Sequence, residues 1–97
     1  MFVILLNYVK PLEDIDRVIA PHRAFLERHY ASGHFLLSGR QEPRTGGVII
    51  AAAKDRAEVE AIVRQDPFHE AGVAEYTIVE FLPTMAAEAL SAFRVSA

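Results

Sequence analysis

Six consecutive apolar residues, Val48-Ile49-Ile50-Ala51-Ala52-Ala53, constrain this chain more than any other feature. The run starts β-branched and follows turn chemistry in Gln41-Glu42-Pro43-Arg44-Thr45-Gly46-Gly47, so it reads as a strand over Gly47–Ala53. A sheet with one wet face alternates polar and apolar residues along each strand. This strand does not alternate, so both faces of its sheet must be covered.

The other elements follow from period and punctuation. Phe2 to Val9 is a strand ended by Lys10-Pro11, with Phe2, Ile4, Leu6 and Tyr8 on one face and Val3, Leu5 and Val9 on the other. Asp14 to about Ser32 is mainly helical, because Ile15, Ile19, His22, Phe25, Leu26 and His29 share one helix face. Pro21 interrupts that segment; it predicts a kink, or a short helix followed by a longer one with Pro21 in its first turn. Gly33 suits the C-terminal cap, and His34 to Arg40 forms the second strand. Asp55 opens another helix, with Glu58 completing a capping box. Val59, Ile62 and Val63 are its buried stripe, and Arg56, Glu60 and Arg64 are its spaced charges. Asp66-Pro67 ends it. Val73 to Leu82 is the fourth strand, closed by Pro83, and Met85 to Phe93 is a weakly amphipathic tail helix.

The order β-α-β-β-α-β predicts a ferredoxin-like α+β fold: a four-stranded antiparallel sheet, both helices on one face, and a short C-terminal helix. One domain spans residues 1–97, with a core of about 1–83 and a tail of 84–97. Two helices cover one sheet face only. A second copy of the chain, packed sheet to sheet about a two-fold axis, is the expected cover for the other, so a homodimer is predicted. The tail helix is the competing cover, but it is short.

Composition removes whole classes of function. There is no cysteine, which excludes a disulfide scaffold, a zinc-thiolate site and a thiol nucleophile. A formal net charge of -3 argues against nonspecific nucleic-acid binding. An RNA-recognition module shares this element order, but strand three carries Ile and Ala where stacking aromatics would sit. The apolar start, Met1 to Leu6, lacks a basic leading segment and stops at Asn7, and no stretch approaches the roughly 20 apolar residues of a membrane span. The expectation is a soluble cytoplasmic chain with neither nucleic acid nor membrane as partner.

His22 lies on the apolar stripe of the first long helix, where an imidazole needs a hydrogen-bond partner. It is either a satisfied core histidine or a general acid/base. Asp66 caps the turn Pro67-Phe68-His69, or it meets His22 where the two helices approach over the sheet, orienting the ring and stabilising its charged form. In Ser38-Gly39-Arg40, Gly39 permits close approach of a ligand or backbone and Ser38 offers a hydrogen bond; a bulged edge-strand end is the plainer reading. No nucleophile elbow surrounds Ser38. Arg40, Arg44 and Gly46-Gly47 lack the lysine and helix of a phosphate loop and read as a hairpin. His22 and His29 are seven apart, not the four of helical zinc ligands, so neither a metal site nor a cofactor is expected.

His22-Arg23-Ala24-Phe25-Leu26, Gly33 through Ser38-Gly39, Gly46-Gly47, and Asp66-Pro67-Phe68 with Ala71-Gly72 and Tyr76 together resemble the YCII-related domain proteins over about residues 1–83. The resemblance implies a dimeric α/β-barrel member of the ferredoxin-like group, with His22 and Asp66 in the active-site His–Asp pair and Ser38-Gly39 nearby. Arg40 stands where other members often carry Gly-Pro, at the pocket entrance. Most members lack an assigned reaction, and the resemblance implies a superfamily that includes cofactor-free enzymes acting on small, often hydroxylated aromatic or lactone substrates. The expected function is thus isomerase- or lyase-type proton transfer by His22, oriented by Asp66, with Ser38, Gly39, Arg40 and Phe68 lining the substrate pocket. The alternative is a non-catalytic small-metabolite-binding or accessory dimer module.

Overall fold

The computed structural model describes residues 1–96. Strand β1 (Phe2–Tyr8) runs through the middle of the sheet, with β3 (Gly46–Ala51) on one side and β4 (Ala74–Glu80) on the other. Strand β2 (Phe35–Arg40) lies beyond β3, and every pairing is antiparallel. The order β2-β3-β1-β4 is that of a ferredoxin-like α+β fold.

The helix layer starts with α1 (Leu12–Arg17) and α2 (Ile19–Ala31). They are separate helices, broken at Val18, whose φ of -114° and ψ of 10° leave the helical region. Pro21 falls in the first turn of α2, where its missing N–H has no intrahelical acceptor to serve. Helix α3 (Arg56–Val63) starts on Asp55, whose side chain accepts the Glu58 N–H at 2.9 Å. The Glu58 carboxylate takes the Lys54 N–H instead of returning to Asp55. Arg56 donates to Glu60 at 3.1 Å, whereas Arg64 has no ion pair among the described residues. A short helix α4 (Pro67–Glu70) leads into β4.

Paired strand residues share a face. Phe2, Ile4 and Leu6 of β1 therefore join Ile49, Ala51, Phe35 and Ala74 beneath the helices, where all are buried with Ile15, Phe25, Val59, Ile62, Val63 and Phe68. The opposite face carries Val3, Leu5, Val48, Ile50, Leu37 and Val79, with Leu37 and Val79 exposed. The expected tail helix is only a 3-10 segment, Glu88–Phe93, with no buried residue. With Leu90 exposed, the segment buries no apolar side chain against that face.

Gly46 is the glycine this sheet requires. A Cβ there would stand 1.7 Å from the Leu6 carbonyl oxygen, backbone that cannot move without parting β1 from β3. Gly46→Ala is expected to destabilise the fold by about 2–4 kcal/mol, read in urea unfolding. Gly39, expected to permit a close approach, does no such thing within the protein: a Cβ there meets nothing within 4 Å.

Candidate active site

Helices α2 and α4 meet above the sheet, and a buried histidine–carboxylate pair lies at their junction. The His22 Nδ1–H donates to Asp66 Oδ1 at 2.7 Å. Asp66 is fully buried and accepts twice more: the Phe68 N–H on Oδ1 at 2.9 Å and the Tyr76 O–H on Oδ2 at 2.6 Å. The two sequence readings of Asp66 are therefore both realised in one side chain. It caps α4, with Pro67 in the first helical position, and it holds an imidazole 44 residues away in sequence.

These contacts fix the ring. A carboxylate only accepts, so Nδ1 carries the proton and, in the neutral imidazole, the lone pair sits on Nε2. Nε2 has no protein partner among the described residues, and it is not among the sealed polar atoms. Phe68 stacks flat on the imidazole, with centroids 3.8 Å apart and planes 3° from parallel. Tyr76, on the helix-covered face of β4, has its pKa raised well above the ordinary phenol range by burial, by the Asp66 charge and by its bond to Asp66. It stays a donor at any working pH. Tyr76 belongs to the set of residues that resembles the family, yet its role was not legible in the sequence. A lone tyrosine between Ala74 and Ile78 on the inward period of β4 was the available signal.

Beside His22 a half-open cavity of about 170 Å³ lies between α2 and the sheet. Leu6, Leu26, Ile49 and Phe68 give it apolar walls, and Ser38, Gly39, Arg23 and Arg40 also line it. Ser38 and Arg40 reach it because β2 is bulged. Phe35 pairs with Ala51 but Leu37 with Ile50, so Leu36 is an extra residue. Without that bulge, strict alternation would put Ser38 and Arg40 on the face opposite Phe35. With it, Ser38 faces the helices and hydrogen-bonds the Tyr30 hydroxyl of α2. All the expected site residues, His22, Asp66, Ser38, Gly39, Arg40 and Phe68, thus surround one cavity or, for Asp66, back its wall.

The remaining histidines lie elsewhere. No group of three or more His, Asp or Glu side chains is arranged to hold a metal ion among the described residues. His29 donates from Nε2 to Gln65 at 3.2 Å and leaves Nδ1 buried and unpartnered against Phe25 and Phe35. Its pKa is lowered, chiefly by burial. Between the folded value and the unfolded value of 6.5 the unfolded chain binds the extra proton, so stability rises with pH across that window. Unfolding free energy is expected to fall on acidification through and below pH 6.5, and less steeply in His29→Gln.

Residues 1–82 match the model of the YCII-related domain. The chain belongs to that family. Among solved structures, this YCII-related chain is similar to 5-chloro-2-hydroxyhydroquinone dehydrochlorinase from Burkholderia phenoliruptrix AC1100, solved in complex with 2,5-dihydroxybenzoquinone. The two share 24% identity over 84% of this chain and 93% of the other, with a TM-score of 0.66. At that identity the likeness supports the fold. No curated protein matches the chain. No helix among the described residues is long and apolar enough to cross a membrane.

Proposed function

We propose that this YCII-related protein is a cofactor-independent enzyme that moves a proton on a small cyclic substrate, with His22 as general acid/base. The observation that carries this reading is the histidine itself: Nδ1 is tied to a buried carboxylate while Nε2 is free beside a cavity. The volume suits one ring, since an engineered apolar cavity of about 150 Å³ takes a benzene. Nε2 accepts a proton from a ring hydroxyl or an activated C–H, and Asp66 steadies the imidazolium that forms. Returning the proton to another carbon completes an isomerisation. Departure of an anionic leaving group completes an elimination. Tyr76 and the Phe68 N–H hold the carboxylate in place, so Asp66 needs no reorganisation when the ring becomes charged. The similar dehydrochlorinase acts on a substituted hydroquinone, which favours a hydroxylated aromatic here; the lactone alternative rests on the family resemblance alone.

The experiment is a screen of 5-chloro-2-hydroxyhydroquinone, other hydroxylated monocyclic aromatics and unsaturated lactones. Conversion of at least one, lost in His22→Ala, is the expected result. Binding without conversion by the wild-type protein would favour a metabolite-binding module instead.

The uncovered sheet face belongs to the same proposal. Val3, Leu5, Val48, Ile50, Leu37 and Val79 form a continuous apolar patch across four strands, and a second copy packed on it makes the working unit a homodimer. Ile50→Asp is expected to yield a folded monomer in sedimentation, against a dimer for the wild type. A wild-type monomer at micromolar concentration would refute this.

A further inference from the structure

The cavity carries charge of one sign. Apart from His22, its ionic side chains are Arg23 and Arg40, and no carboxylate lines it among the described residues. This is a chain in which acids outnumber bases, 13 to 10. Arg23 has no ion-pair or hydrogen-bond partner among the described residues. Arg40 donates from Nε to Glu42 at 2.8 Å, and that pair is exposed at both ends. An exposed pair contributes little, and it leaves the terminal N–H groups of Arg40 free. The neighbouring Arg44 is tied to Asp16 and does not line the cavity. Asp66 is hidden behind the His22 ring, with both oxygens already engaged.

We propose that the cavity selects an anionic ring: a monocyclic compound bearing a carboxylate or ionised enol oxygen, held between Arg23 and Arg40 with the ring against Phe68, Leu6 and Ile49. This rests on the reading of the cavity as the substrate site and adds the class of substrate it takes. Two cations at a half-open apolar cleft focus their field into it, so an anion gains there what a neutral isostere does not. The same cations face any negative charge that develops on a substrate oxygen when His22 removes a proton. Placement of Arg40 depends on the Leu36 bulge, which turns it from the open sheet face into the cavity.

The test compares 4-hydroxybenzoate with 4-hydroxybenzamide, near-isosteres that differ in charge, by calorimetric titration of the whole chain. The carboxylate is expected to bind about tenfold tighter or more at low salt. That preference should shrink as salt rises to about 0.5 M, and it should vanish in Arg23→Gln/Arg40→Gln. Both arginines are exposed, so thermal melting of the double variant should match the wild type. Equal binding of the two probes, no binding of either, or a preference that survives in the double variant would overturn the proposal. The two readings fail separately: if the wild-type protein turns over no compound of the panel but keeps its preference for the anion, proton transfer fails and the anion subsite stands.

Discussion

Asp66→Ala is expected to lower folding stability by about 3–5 kcal/mol, more than any other polar truncation in the helix layer. One fully buried carboxylate serves three donors there: the His22 Nδ1–H, the Phe68 N–H and the Tyr76 O–H. Alanine leaves two of them buried without an acceptor and removes the cap of α4. Hydrogen bonds to a charged group are worth about 1.5–3 kcal/mol each and do not add fully. Against a total of about 5–15 kcal/mol for a domain, that loss is large. It should lower Tm by about 15 °C or more in a chain of this length. Asp66→Asn keeps an acceptor for the cap and should cost roughly half as much. A melt of Asp66→Ala within a few degrees of wild type would show that the carboxylate is not the keystone of this corner.

His22→Ala should do the opposite: a modest effect on the fold and a large one on turnover. The imidazole lies at the cavity wall, so its removal opens space that water can enter, and the loss in stability is about 1–2 kcal/mol. Turnover should fall about 10²–10⁴-fold, the usual worth of a positioned acid/base. Binding of the ring should change little, because Phe68, Leu6, Ile49 and the two arginines remain. The loss therefore falls on kcat, with KM nearly unchanged. Stability lost without any change in turnover would mark His22 as a core histidine that Asp66 merely satisfies.

Much of this arrangement was legible in the sequence because period and punctuation are local. The strand alternation of Phe2–Tyr8 and the stripe through His22 and Phe25 reappear as read, and Asp55 caps α3, though without the return of Glu58 that a capping box has. The surplus of apolar residues on the second face of the sheet also followed from the pattern of Val48–Ala53. The contact between His22 and Asp66 is a matter of topology, and no spacing could have shown it; the family resemblance pointed to it. What stayed hidden depends on register and on space. The extra residue at Leu36 is invisible in a run of apolar letters, yet it decides which way Ser38 and Arg40 face. Gly46 read as the last residue of the turn, and only the packing of β3 against the Leu6 carbonyl shows that this position admits no Cβ. The tail from Met85 read as a helix, but it forms only a 3-10 segment over Glu88–Phe93, with no residue buried.

The central claim is that His22 Nε2 exchanges a proton with a ring held in the cavity. The direct measurement is solvent-deuterium incorporation into a panel of hydroxylated aromatics and unsaturated lactones, followed by NMR with equal concentrations of wild-type and His22→Ala protein. The account predicts that at least one compound exchanges or reacts about 10²-fold or more faster with the wild type. Equal rates with the two proteins for every compound that binds would contradict it.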